Sequence, residues 1–156
     1  MRVTDTPIRI RRVKASDVAK VIALDARVTG LPKSTYWRDL FARFGRRRLA
    51  ERFFLVAEPD AAAARTPLLG FIIGEVRAWE FGSAPCGWVF GLAVDPDRRL
   101  EGVGEKLFEA ISAEFRKAGM DKMRTMVARD NLLPLRFFRG EGMMAGPYIQ
   151  LEKDLE

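Results

Sequence analysis

Apolar positions along this chain repeat with the periods of strands and helices, in alternating blocks. Ile8 and Ile10 alternate with arginines, which is typical of a strand with one buried face. Five further strands are predicted from apolar runs, over residues 53–58, 68–79, 88–94, 122–128 and 143–151. Gly146 and Pro147 interrupt the last of these runs, so we expect that strand to be broken there.

Four segments show the helical repeat instead. The longest runs from Glu105 to Ala118, where apolar residues recur every three or four positions. In a helix that begins near Ser34, four apolar side chains share one face and predict a buried stripe: Trp37, Leu40, Phe41 and Phe44. Shorter helices are predicted after Ser16 and after Asn131, each of which can cap a helix. The order of elements predicts a mixed α/β fold in a single domain, residues 1–156, with three successive strands in an antiparallel meander.

The stretch from Val94 to Gly104 joins a predicted strand to the longest helix through a basic loop. The first amides of a helix have no internal partner and lie at the positive end of its dipole, so this junction favours an anion. Gly102 and Gly104 carry no Cβ, which lets a bulky oxyanion approach the backbone. Two common phosphate-binding loops do not fit. Leu107 stands where a dinucleotide fingerprint needs glycine, and the lysine and hydroxyl residue of a Walker loop are missing.

Composition narrows the class of protein. With 156 residues, 48% apolar and 31% charged, the chain is ordinary for one soluble globular domain. No apolar run is long enough to span a membrane, and residues 1–5 lack the apolar core of a secretory signal. The single cysteine, Cys86, suits a reducing compartment. We therefore expect a cytoplasmic protein that contacts no membrane.

Charge and histidine content limit the partners and the chemistry. The chain has no histidine, the usual general base and a common zinc ligand, and we expect no metal site. The net charge of +6 raises nucleic acid as a partner. However, no base-stacking aromatic residues are interleaved with the most basic cluster, which consists of Arg43, Arg46, Arg47, Arg48 and Arg52. A solvated helix end is the favoured interpretation of this cluster, and nucleic-acid binding is a minor hypothesis.

Six positions of the basic loop fit the pattern Val-x-Pro-x-x-Arg-x-x-Gly-x-Gly-x-x-Leu, namely Val94, Pro96, Arg99, Gly102, Gly104 and Leu107. This pattern resembles motif A of the GCN5-related N-acetyltransferase (GNAT) superfamily, whose loop holds the pyrophosphate of acetyl-coenzyme A. Glu101 departs from the family, which commonly has a basic or neutral residue there. A carboxylate at this place should weaken pyrophosphate binding, unless it points to solvent.

A second stretch resembles the family's motif B, usually Asn-x-x-Ala-x-x-Leu-Tyr-x-x-x-Gly-Phe. Asn131 and Gly142 match it, and the resemblance implies that Asn131 contacts the pantetheine arm of the cofactor. Phe138 stands where many members have a tyrosine that protonates the departing thiolate, and phenylalanine has no proton to give. A thiol of pKa about 8.5 leaves fairly readily without an acid. Phe138 would then pack against the thiol end of the cofactor.

The resemblance also implies a mostly antiparallel sheet with splayed central strands, flanked by about four helices. Gly91 lies inside the predicted strand 88–94, which favours a bulge or a close backbone approach there. In the family, such a bulge splays the two central strands. The expected cofactor contacts are Leu92, Ala93, Val94, Arg99, Leu100, Glu101, Gly102, Val103, Gly104, Asn131 and Phe138. A backbone amide at Leu92 or Ala93 would meet the negative charge that develops on the thioester oxygen. In the family, the helical region that holds Tyr36 and Trp37 here overhangs the acceptor.

The proton on an amine acceptor needs a base other than histidine. Glu75 and Glu80 lie on the strand before the cofactor-binding strand. They are five residues apart, so at most one of them points into the cleft. Glu75 lies among apolar residues and is the preferred base, while its pairing with Arg77 or another surface cation is an equally supported alternative.

These observations predict an acetyl-coenzyme A-dependent N-acetyltransferase, in which a bound amine attacks the thioester directly. Cys86 has no histidine to activate it, so a route through acyl-cysteine is not expected. The alternative is a non-catalytic acyl-coenzyme A-binding sensor or interaction module, which the missing tyrosine suggests. The acceptor is left open between a protein or peptide amine and a small-molecule amine. Because dimers are common in the family, the resemblance also implies a homodimer.

Overall fold

A computed structural model describes residues 7–156, apart from the side chain of Leu100. The prediction that residues 1–5 form no secretory signal lies outside the described residues. The helices and strands follow in the order β1 (Ile8–Arg12), α1 (Val18–Thr29), α2 (Ser34–Leu40), β2 (Arg52–Pro59), β3 (Gly70–Arg77), β4 (Cys86–Val94), α3 (Val103–Lys117), β5 (Met123–Thr125) and α4 (Leu132–Gly140). In this part of the chain, no helix has both the length and the apolar character that crossing a membrane requires.

The chain divides into two compact units. The first ends at Met126 and contains the five strands with α1, α2 and α3. The second begins at Val127 and contains α4 and the segment that follows it. The single domain expected over residues 1–156 stays a prediction.

The strands of the first unit form one sheet in the order β1-β2-β3-β4-β5. β1 to β4 are antiparallel neighbours, whereas β4 and β5 run parallel. The predicted mixed α/β fold, with a mostly antiparallel sheet and about four helices, is therefore confirmed. The strand predicted over residues 143–151 is wrong, because these residues form no strand. Pro147 removes a ladder donor in the middle of that run.

One face of the sheet is covered by α1, α2 and a π-helical turn, Phe41–Gly45. The four side chains of the predicted stripe are all less than 9% exposed on this face, namely Trp37, Leu40, Phe41 and Phe44. The Trp37 ring meets the Phe71 ring of β3 edge to face, with the centroids 5.0 Å apart. The buried stripe is confirmed.

The other face is covered by α3. Gly74 of β3 permits a close approach, because a Cβ there would lie 2.6 Å from the Trp88 carbonyl oxygen and 2.9 Å from the Ile111 side chain. The apolar face of α3 is buried from its first turn, since Val103 is 0% and Phe115 2% exposed. This packing fixes where the N-terminus of α3 lies against the sheet.

A charged network ties the edge strand β1 to the rest of the first unit. The Arg11 guanidinium donates twice to the Asp17 carboxylate, at 2.7 and 2.9 Å, and twice to the Glu58 carboxylate, both at 2.9 Å. Glu58 is 4% exposed and also accepts from Arg9. Hydrogen bonds from Arg11 outweigh the effect of burial and lower the pKa of Glu58 from 4.5 to about 2. Burial alone would raise the pKa of Asp17, but Arg11 and the Lys14 amide lower it.

This network predicts an acid-sensitive stability. The folded-state pKa of Glu58 lies below its ordinary value, so its ionised form stabilises the fold above pH 4.5, and this contribution is lost as the pH falls towards about 2. Urea unfolding of the wild type and of Glu58→Gln, followed by tryptophan fluorescence across this interval, should show a smaller pH dependence in the variant. Parallel pH dependences in the two proteins would contradict this assignment.

Candidate functional site

A β-bulge shapes the middle of β4. Ile73 of β3 lies opposite Gly91, whereas the next residue, Gly74, lies opposite Val89. Phe90 is therefore an extra residue with no partner on β3, and the bulge predicted at Gly91 is confirmed. The Phe90 ring turns towards Phe44 of the π-helical turn, with the centroids 5.2 Å apart.

The two central strands separate beyond this bulge. β4 and β5 pair only between Gly87–Val89 and Met123–Thr125. The Thr125 hydroxyl donates to the Val89 carbonyl at 2.8 Å, at the point where the pairing ends. No strand within residues 7–156 pairs with this edge of β4 from Phe90 to Val94. The predicted splay of the central strands is confirmed, and it leaves an open length of backbone edge.

The β3–β4 register determines which backbone groups face this opening. The Asp95 amide donates to the Leu69 carbonyl at 2.8 Å, and hydrogen-bonded residues alternate along an antiparallel pair. Gly91 and Ala93 therefore bond to β3, while Leu92 and Val94 direct their N–H and C=O groups towards the open edge. Of the two amides predicted to meet the thioester oxygen, Leu92 is the one that points into the opening.

The loop after β4 delivers free amides to the same end of the sheet. Gly102 has φ +78°, a conformation that favours glycine, and a Cβ there would meet only the Glu105 carboxylate, at 3.9 Å. The Lys106 amide donates to the Gly102 carbonyl at 3.1 Å as the first bond of the helix, so the amides of Val103 to Glu105 have no acceptor within α3. This is the anion-favouring helix start that the glycine spacing predicts.

Among the described residues of this loop, the carboxylates pair with arginines, whereas Arg99 forms no ion pair. Arg98 donates to the Glu101 carboxylate at 2.7 Å. This ion pair neutralises the negative charge that Glu101 adds relative to the family pattern. Arg27 of α1 pairs with Asp95 at 3.2 Å and with Asp97 at 3.0 Å. Arg99 is exposed and forms no ion pair with the described residues, so its guanidinium remains available to an anion.

Glu75 lies on the face of β3 that carries α1 and α2, opposite Trp88 of β4. The Arg77 guanidinium lies 3.3 Å from the Glu75 carboxylate, 3.7 Å from that of Glu80, and 4.8 Å from the centre of the Trp88 ring. The pairing with Arg77 predicted as an alternative for Glu75 is thus observed. A role as the base stays a prediction.

Asn131 and Phe138 lie in the second unit, where Asn131 directly precedes α4. Phe138 is 7% exposed, its ring lies 5.3 Å from that of Phe137, and its carbonyl accepts from the Met143 amide at 3.0 Å. Their contacts with a cofactor stay predictions. The described residues contain no group of three or more Cys, Asp or Glu that could hold a metal ion.

The free groups of the first unit fit coenzyme A. The open edge of β4 offers amide and carbonyl partners to the two amides of a pantetheine arm, and the α3 amides with Arg99 suit a pyrophosphate. The model of the acetyltransferase (GNAT) family matches residues 19–143, which is most of the chain. The protein therefore belongs to the GNAT acetyltransferase family.

Solved structures with the same fold cover nearly the whole chain. An aminoglycoside 6'-N-acetyltransferase from Acinetobacter baumannii has a TM-score of 0.78 at 14% identity, over 96% of this chain and 100% of that chain. An aminoglycoside N-acetyltransferase in complex with CoA has a TM-score of 0.80 at 15% identity, over 99% of both chains. A ribosomal-protein-alanine N-acetyltransferase from Brucella melitensis has a TM-score of 0.73 at 16% identity, over 96% and 99%. A search of curated protein sequences finds no match.

The family, together with this site, defines the activity. The protein is an acetyl-coenzyme A-dependent N-acetyltransferase, as the loop and helix patterns predict. Coenzyme A, as acetyl-coenzyme A, is its acetyl donor, and an amine is its acceptor.

The pairing of Arg98 with Glu101 predicts a measurable effect on the affinity for coenzyme A. Arg98→Ala leaves the Glu101 carboxylate uncompensated beside the amides that are predicted to bind the pyrophosphate, so binding should weaken by up to about 1 kcal/mol, roughly fivefold, at low salt. Titration calorimetry with coenzyme A measures the affinity. The double variant Arg98→Ala/Glu101→Gln should recover wild-type affinity, and a double variant as weak as Arg98→Ala would contradict this role.

Proposed function

We propose that the acetyl group passes to a primary amine bound on the α1/α2 side of β4, with Leu92 and Glu75 as the residues that act on the reacting groups. The open edge of β4 carries this proposal, because Leu92 is the residue beside the bulge whose amide is directed away from β3. Glu75 shares the sheet face that carries α1 and α2.

The pyrophosphate would be held by Arg99 and by the amides from Leu100 to Gly104, with Gly102 and Gly104 allowing its close approach. Glu101 would contribute its amide while Arg98 balances its charge. The pantetheine arm would bond to the backbone of Leu92 and Val94. This division assigns a separate part of the cofactor to each group of donors.

Acetyl-coenzyme A, when bound, supplies a thioester carbonyl carbon that a neutral amine can attack. The Leu92 amide would donate to the carbonyl oxygen, where negative charge grows as the amine adds. Because the Leu92 amide is fixed in a strand, it needs no reorganisation as this negative charge develops. Ala93 would support this role from its bond to β3, which holds β4 in place.

An amine is mostly protonated near neutral pH, so a base must take its proton before or during attack. Glu75 would accept it, directly or through a water molecule. The Arg77 guanidinium lies 3.3 Å from this carboxylate and holds it in place. The coenzyme A thiol has a pKa of about 8.5, so it would leave as the thiolate without a protein acid.

The proposed acceptor is an amine of either kind, on a protein or peptide or on a small molecule. Two of the solved structures described above are named for aminoglycosides and the third for a ribosomal-protein alanine, and these acceptors share an amino group. The sensor alternative rests on the missing tyrosine alone, and membership of an acetyltransferase family does not favour it.

Nucleic acid is not a proposed partner. Most of the basic cluster is occupied: Arg43 pairs with Asp39 at 2.9 Å, Arg48 pairs with Glu51, and Arg52 lies 4.8 Å over the Phe44 ring. A cytoplasmic location agrees with a single, buried cysteine. A homodimer stays a prediction.

Release of free thiol from acetyl-coenzyme A, measured against a panel of amines and peptides, tests the activity and the base together. Glu75→Gln should lower kcat/KM roughly 100-fold, because it removes the proton acceptor. Glu80→Gln is the matched control, since it removes the other carboxylate near Arg77, and it should stay close to wild type. Equal losses in the two variants would contradict the role of Glu75. Tight cofactor binding without thiol release for any acceptor would favour the sensor.

A further inference from the structure

A buried carboxylate joins α1 to α2 above the sheet. Asp25 of α1 is 5% exposed. Its carboxylate accepts a hydrogen bond from the Trp37 indole at 3.0 Å and lies 2.9 Å from the Lys33 ammonium. Burial of a charge is costly unless it is paired, so this position requires a cation.

The Lys33 ammonium also faces two aromatic rings. It lies 5.8 Å from the centre of the Tyr36 ring and 5.9 Å from that of the Trp37 ring. These two rings meet edge to face at 5.0 Å, which fixes their positions. A carboxylate with aromatic faces around it is the arrangement by which proteins bind ammonium ligands.

The cation that fills this place is held less firmly than the groups around it. The Lys33 side chain is 38% exposed, whereas that of Asp25 is 8% exposed. Lys33 follows Gly30 and Leu31 in the loop between α1 and α2, and Leu31 is 63% exposed. The flexible stem of a lysine lets its ammonium move into water when another cation pairs with the carboxylate. Another ammonium could then take its place without leaving Asp25 unpaired.

The Asp25 carboxylate and the rings of Tyr36 and Trp37, together called the cage, lie on the side of the sheet where the acceptor is proposed to bind. The Trp37 ring packs on the Phe71 ring, and Phe71 lies opposite Ala93 on the same sheet face, next to Leu92. The same helix, α1, reaches the loop after β4 through Arg27, which pairs with Asp95. An acceptor that reaches Leu92 from the α1/α2 side would pass close to the cage.

We propose that Asp25, Tyr36 and Trp37 form a subsite for a second ammonium group of the acceptor, and that Lys33 occupies this subsite until the acceptor displaces it. The acceptor class is therefore a compound with at least two amino groups, one anchored at Asp25 and one acetylated near Leu92. This inference rests on the proposed transfer at Leu92 for its direction, while the subsite itself is testable without the cofactor.

Kinetics with a matched pair of acceptors tests the anchoring. Hexamethylenediamine has two amino groups and n-hexylamine has one, at equal chain length. In the thiol-release assay, the wild type should prefer the diamine in kcat/KM, and Asp25→Asn should reduce this preference at least tenfold. Lys33→Ala should lower the KM for the diamine severalfold, because the competing ammonium is gone. Asp39→Asn, which removes an exposed carboxylate of α2, should keep the wild-type preference.

Binding without cofactor separates this inference from the proposed function. The indole N–H resonance of Trp37, followed by ¹⁵N NMR, should shift on addition of hexamethylenediamine, more strongly in Lys33→Ala and not in Asp25→Asn. The retained pattern of other resonances checks that the variants fold. If this shift occurs but the assay with acetyl-coenzyme A shows no thiol release, the subsite is supported and the transfer chemistry is rejected. An absent shift, or a diamine preference unchanged in Asp25→Asn, would overturn the inference.

Discussion

The site depends on a length of β4 whose backbone, on one side, has no strand partner among residues 7–156. β4 pairs with β5 only as far as Val89, and the register with β3 then turns the groups of Leu92 and Val94 towards the gap. Unpaired backbone donors and acceptors are costly unless something satisfies them. A ligand with its own amides is the natural occupant, which is why the splay and the cofactor belong together.

Packing and charge hold this opening in a fixed relation to the loop after β4, which is proposed to bind the pyrophosphate. α3 is buried from Val103 onwards, so its free amides are presented at a fixed place at the end of β4. Ion pairs of Arg98 and Arg27 neutralise the carboxylates of the loop, and Arg99 forms no ion pair with any residue of the described part of the chain. The site therefore has rigid backbone donors and one added charge, which suits a large anionic cofactor bound mainly by main chain.

Local patterns predicted most of this arrangement, because strand runs, helix spacing and the glycines of the loop act over a few residues. The bulge near Gly91 and the buried stripe with Trp37 followed from such patterns. The pairing of Arg27 with Asp95 joins residues far apart in sequence, which no local period reports. The strand predicted over residues 143–151 is wrong because Pro147 has no amide hydrogen to donate in the middle of this apolar run.

Amide hydrogen exchange, resolved by residue with NMR in the presence and absence of coenzyme A, tests the open edge most directly. The alternation along β4 predicts that Leu92 and Val94 gain strong protection on binding. Gly91 and Ala93, already bonded to β3, should be protected before binding and change little. Protection gained at Ala93 instead of Leu92, or no gain at either, would contradict the account.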